Sequence, residues 1–107
     1  MATFEVRSGD TNTAIEVVLT RRDGTLQPLA GTETGTFVFS TWTGTDVLTK
    51  ALAVSDAPNS KVRATLLAGD TSTLKGQVLR GRIPVTFAGG GIETFPTAGD
   101  DLLLVVY

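Results

Sequence analysis

The sequence predicts an all-β sandwich, on three observations. Apolar and polar residues alternate with period two, most clearly over Lys75–Pro96, KGQVLRGRIPVTFAGGGIETFP, where Leu79, Ile83, Val85 and Phe87 share one parity and Arg80, Arg82 and Thr86 the other. Eighteen threonines stand among 107 residues while Glu, Lys and Gln are few, a bias toward residues that suit a pleated surface. Turn signals built on Gly, Asp and Asn recur roughly every 8–12 residues.

Taken in order, Phe4 to Arg7 alternates apolar and charged and reads as a first strand, followed by turn chemistry at Ser8-Gly9-Asp10-Thr11-Asn12. Ala14 to Arg21 places Ile15, Val17 and Leu19 on one face and Glu16 on the other, a second strand. Arg22-Asp23-Gly24-Thr25 is a tight turn, with Asp bonding its own backbone and Gly in the left-handed region. Leu26 and Leu29 bracket Pro28, which makes that segment irregular or an edge strand. Ala30 to Gly35 is a small, polar loop. Thr36 to Thr43 carries Phe37 and Phe39 on one face and Val38 and Trp42 on the other, so this strand is expected to be covered on both sides.

Thr43-Gly44-Thr45-Asp46 turns the chain into a fourth strand, Val47 to Val54, and 56–60 is a loop. Lys61 to Leu67 alternates again, with Val62, Ala64 and Leu66 inward and Arg63 outward. Gly69 to Leu74 is a loop or one helical turn capped by Asp70. Gly89-Gly90-Gly91 divides the Leu79–Phe87 strand from Ile92–Phe95, a hairpin signal. A last turn at 97–100 leads to the closing strand Asp101–Tyr107, whose apolar run from Leu102 belongs inside a sheet or against a partner. Seven to eight short antiparallel strands at this spacing favour an immunoglobulin-like sandwich over a barrel, one domain spanning 1–107.

The composition removes much chemistry. There is no cysteine and no histidine, hence no disulfide framework, thiolate metal site, thiol nucleophile or imidazole base. A Ser or Thr nucleophile would have to lean on Lys50, Lys61 or Lys75, all expected to be solvated in polar turns. Asp10, Asp23, Asp46, Asp56 and Asp70 sit in turn contexts that favour local hydrogen bonds, and adjacent Asp100 and Asp101 would point to opposite faces of a strand. No D-x-D-x-D loop supports calcium, and Gly89–Gly91 lacks the P-loop pattern. Catalytic residues, cofactors and metals are therefore all expected to be none. Net charge is −2 with no basic run, which disfavours nucleic acid. The N-terminus has no signal-peptide pattern, and no apolar run spans a bilayer, so no membrane partner is expected.

Five side chains stand out as candidates for an interface: Phe4, Trp42, Arg80, Arg82 and Tyr107. Trp42, Phe4 and Tyr107 suit stacking on a sugar or seating a partner, although a sandwich this small is expected to use Trp42 to fill its core. Arg80 and Arg82 make a two-residue basic patch suited to an ion pair with a neighbouring subunit.

Several short motifs follow one another along the chain: Gly9-Asp10-Thr11, Asp23-Gly24 leading to Leu29-Ala30-Gly31, Phe37-Val38-Phe39, Gly76-Gln77-Val78, and Thr94-Phe95-Pro96 ahead of Leu102–Tyr107. In this order they resemble the N-terminal immunoglobulin-like domain of phage baseplate upper proteins, over nearly the whole chain. The resemblance implies a non-enzymatic virion structural protein, assembled in the host cytoplasm. It would dock onto other virion proteins of the tail, baseplate or particle surface, in copies repeated with the particle's symmetry. In that family the domain heads a longer polypeptide, so the role of virion module carries over better than a place in the baseplate. A capsid decoration or cement protein is one alternative. A small carbohydrate-binding module for host adhesion, using Trp42 and loop carboxylates, is another.

Overall fold

In a computed structural model that describes residues 2–10, 13–21, 23–95 and 102–107, the described residues form nine strands in two facing sheets. The strands are β1 (Ala2–Val6), β2 (Thr13–Val18), β3 (Thr34–Ser40), β4 (Asp46–Ala51), β5 (Ala53–Asp56), β6 (Lys61–Leu66), β7 (Val78–Thr86), β8 (Ile92–Phe95) and β9 (Leu102–Val106). The larger sheet runs β1-β9-β7-β3-β4, with β8 paired to the far half of β7, and the smaller runs β2-β6-β5. The two sheets make an all-β sandwich. The turn expected over 97–100 and the Asp100–Asp101 pair lie outside the described residues.

Two features depart from seven or eight antiparallel strands. β1 pairs with β9 in parallel, with Phe4 opposite Leu104. The single strand expected over Val47–Val54 is two strands in different sheets: β4 pairs with β3, while β5 pairs with β6. Leu52 is the crossing point, its N–H donating to the Gly35 carbonyl at 3.0 Å. Period-two alternation continues unbroken through such a corner, which is why it is invisible to pattern. Leu26 and Gln27 contribute only a short bridge to Leu19 and Thr20, so that segment is mostly irregular.

The alternation places the core as expected. Ile15, Val17, Val62, Ala64 and Leu66 of the smaller sheet face Phe37, Phe39, Leu79, Ile83, Val85, Leu102, Leu104 and Val106 of the larger, all buried. Each fully buried side chain of this kind contributes about 1.5–3 kcal/mol. The β9 run lies inside the sheet between β1 and β7, the position its apolarity predicts. β3 is covered on both sides as far as Val38, which is 7% exposed, but the coverage stops before Trp42.

Three loops share one geometry. In 21–25, 41–45 and 87–91 the first N–H donates to the fifth carbonyl and the fourth N–H to the first carbonyl. The fourth residue is Gly24, Gly44 or Gly90, at φ between +87° and +96°. In 41–45 and 87–91 this is a type I turn closed by a left-handed glycine, a three-residue hairpin loop. The Gly89–Gly91 hairpin is thus the same device as the Asp23-Gly24 turn, where Thr25 donates its N–H and hydroxyl to Asp23 Oδ1 at 3.0 and 2.6 Å.

A single helical turn, Ala68–Thr71, lies in the segment expected to be loop or helix. Asp70 caps it from inside, accepting the Leu67 N–H at 2.7 Å, and also pairs with Lys50 Nζ at 3.0 Å. Lys50 and Lys61 are therefore not turn lysines: both lie on strands, Lys61 standing 3.9 Å from Glu16.

The 30–35 loop holds one polar group that composition does not reveal. Glu33 is buried, and its two carboxylate oxygens accept the Ala30 and Gly31 N–H groups at 2.7 and 2.9 Å. Burial pushes its carboxyl up, but the N–H groups of Ala30, Glu33, Gly31 and Thr32 outweigh that and hold it below its ordinary value of 4.5. A depressed folded value gives stability that is complete above the unfolded value and lost as pH falls through the folded one. Glu33→Gln is expected to lower stability at neutral pH by about 1–3 kcal/mol and to flatten the acid limb below about pH 4.5. Urea titrations of both proteins at neutral and acid pH check this.

Candidate functional site

The outer faces of the two sheets differ in chemistry. On the smaller sheet the outward residues are largely polar, including Glu16, Arg63, Thr65 and Ser55, with Ser55 donating to Glu16 at 2.9 Å. On the larger sheet they include Leu103 and Val105, half-buried, and Val78, 40% exposed, all in register on adjacent strands. Trp42 and Tyr107 extend this apolar face at one end, 60% and 51% exposed.

Trp42 is not in the core. It is the second residue of the 41–45 loop and shares the parity of Val38 and Ser40, so it stands on the outer face of the larger sheet, away from the smaller sheet. Its indole is covered on one face by the Arg80 guanidinium, 4.9 Å from the ring centroid, a contact worth about 0.5–1 kcal/mol at an exposed site. An open hollow of about 270 Å³ lies here, lined by Ser40, Thr41, Trp42, Gly44, Arg80, Gly81 and Arg82.

Arg82 is held within the chain. It forms a two-pronged pair with Asp46, Nη1 to Oδ1 at 3.1 Å and Nη2 to Oδ2 at 3.0 Å. Its Nη1 also donates to Ser40 Oγ at 2.9 Å, and Ser40 Oγ donates to Asp46 Oδ1 at 2.7 Å. Arg82 and then Ser40 hold the Asp46 carboxyl below the usual carboxylate range. Asp46 thus serves a partner 36 residues away rather than its own turn. The network fixes β4 to β7 across β3 and presents the Trp42 loop in one position.

The five candidate residues divide three ways. Trp42, Arg80 and Arg82 come together. Tyr107 lies across β7 from them, in a second hollow of about 320 Å³ with Arg7, Ser8 and Lys75. Phe4 is on the inner side of β1, half-buried against the core. Sequence pattern passes over Val78, Leu103 and Val105; the even parity of Val78 with Arg80, and the unbroken apolarity of β9, are the signals that place apolar groups on the outer face.

The site defines a class: a β-sandwich presenting an aromatic–cationic surface. Among the described residues no three His, Cys, Asp or Glu converge to hold a metal ion. The sequence matches no known family model, and it matches no curated protein.

Proposed function

We propose that this chain is a non-enzymatic structural module of a bacteriophage particle. It docks onto other virion proteins through the outer face of its larger sheet and is present in repeated copies. The observation that carries the reading is the asymmetry between the two outer faces: one mostly polar, with exposed Val18 and Leu67 only at its opposite ends, the other with Leu103, Val105 and Val78 at its centre and Trp42 and Tyr107 at its rim. Aromatic residues and arginine at an exposed apolar patch are the composition of a protein interface. The order of sequence motifs supplies the phage context. Mass spectrometry of purified particles is expected to find the chain at a fixed copy number. A number matching the capsid lattice makes it a decoration protein, and three, six or twelve places it on the tail or baseplate. Particles that lack it overturn the proposal.

A second reading, a carbohydrate-binding module for host adhesion, is favoured by the exposure of Trp42. Arg80 already occupies one face of the ring, which leaves less of it to stack on a sugar. Trp42 is the only tryptophan, so intrinsic fluorescence reports on that site alone. The docking proposal expects no glycan-dependent quench; saturable quenching by a host-surface glycan would replace it with the adhesion reading.

A further inference from the structure

The outer face of the larger sheet carries opposite charges on either side of its apolar centre. In one row of the register stand Glu5 on β1, Val105 on β9 and Val78 on β7. In the next row stand Thr3, Leu103, Arg80 and, on β3, Ser40. Glu5 and Arg80 are both exposed and lie diagonally across β9 from each other. Trp42 continues the first row beyond β7, and Tyr107 continues β9 past Val105.

We propose that this face is the contact of a two-fold homodimer. A two-fold axis lying in the interface, oblique to the strands and crossing β9 between Leu103 and Val105, makes the face complementary to itself. It sets Glu5 of each copy against Arg80 of the other, Val78 against the partner copy's β9 at Val105, and Trp42 against Tyr107. Adjacent strands are about 4.8 Å apart and alternate residues about 6.7 Å, so one operation satisfies all three pairings. The strands of the two copies then cross steeply, as in orthogonal sheet packing. An isologous contact requires this property: residue i meets j where j meets i. On the smaller sheet exposed Val18 and Leu67 stand at opposite ends with Glu16 and Arg63 between them, so among the described residues its outer face has no comparable apolar centre.

The footprint spans three to four strands, on the order of 20 by 20 Å, which is small against the roughly 800 Å² per partner of a standard interface. The dimer is therefore a weak, reversible one; it uses the face assigned above to virion docking, so it is a state of the free protein that docking replaces. It does not depend on the virion reading, since purified protein alone tests it.

Sedimentation equilibrium between about 1 µM and 1 mM is expected to show the weight-average mass rising from 11.2 kDa toward twice that value. Arg80→Glu and Glu5→Arg are each expected to weaken association by about tenfold or more, because each places like charges opposite one another. The double variant restores the pair in reversed polarity and is expected to return association to within a few-fold of the parent. Circular dichroism confirms that each variant folds; both positions are exposed, so surface reversals there leave the core intact. A protein that stays monomeric throughout overturns the proposal. So do single reversals without effect, and so does a double reversal that fails to restore association.

Discussion

Replacing Phe39 with alanine is expected to lower stability by about 3–5 kcal/mol, the upper range for a core aromatic. For a domain of this length that is a fall in Tm of roughly 15–25 °C, measurable by thermal or urea denaturation. Phe39 is fully buried on the central strand β3, and its ring stacks with Phe37 at 6.5 Å between centroids. The high estimate comes from its neighbour. Gly81 sits opposite Phe39 on β7, and a Cβ there would meet Phe39 Cε1 and Leu102 Cδ2, each at 2.8 Å. The ring therefore fills space that Gly81 leaves empty, and removing it opens a cavity beside Leu102. Gly81→Ala alone is expected to cost about 1–3 kcal/mol by overpacking. Combined with Phe39→Ala its conflict with the ring disappears, so the double variant is expected to be less destabilised than the sum by about 0.5–3 kcal/mol. Strict additivity would mean that the two positions do not share this space.

Gly35→Ala is expected to cost at least about 3 kcal/mol and to prevent full assembly of the larger sheet. Gly35 pairs with Val85 where β3 and β7 approach closely. A Cβ added to it would run into the Pro84 carbonyl oxygen and would lie 3.2 Å from Val85 Cα and 3.3 Å from the Pro84 carbonyl carbon. All three obstacles are backbone, so no rotamer change relieves them. β7 cannot retreat, because it is held on its other edge by β8 and β9. The Gly35 carbonyl also accepts the Leu52 N–H at the corner between sheets, so displacing β3 disturbs the β4–β5 crossing as well. Gly89→Ala is the control. Nothing lies within 4 Å of its hypothetical Cβ, and alanine there is expected to stay within about 0.5 kcal/mol of the parent. Equal effects at the two glycines would remove the close-approach explanation.

These two variants test the scaffold that presents the candidate surface. β7 carries Val78, Arg80 and Arg82 outward while Leu79, Ile83 and Val85 anchor it inward. The same strand thus couples core packing to the outer face. The Ser40–Asp46–Arg82 network ties it to β3 and β4, with side chains of Arg82 and Asp46 about half exposed, where solvent screens an ion pair and leaves it little weight in stability. Its role is positional: it holds the Trp42 loop so that Arg80 lies over the indole.

The residues themselves determined which segments are strands, which side chains point inward and where the chain turns. Each of these depends on a two-residue period or on a glycine within a few positions, and both act locally. They also removed imidazole and thiol chemistry, since a side chain that is absent cannot be supplied by folding. Tertiary structure alone decided the rest: that 47–54 breaks at Leu52 between two sheets, that β1 joins β9 in parallel, and that Trp42 faces solvent under Arg80. It also gave Arg82 its partner in Asp46. Strand pairing is settled by which edges remain available once the whole sandwich closes, and residues 36 positions apart carry no local trace of their meeting. Exposure follows the same logic: an aromatic at the end of a strand is core or surface according to which face of its sheet it stands on and what covers that face.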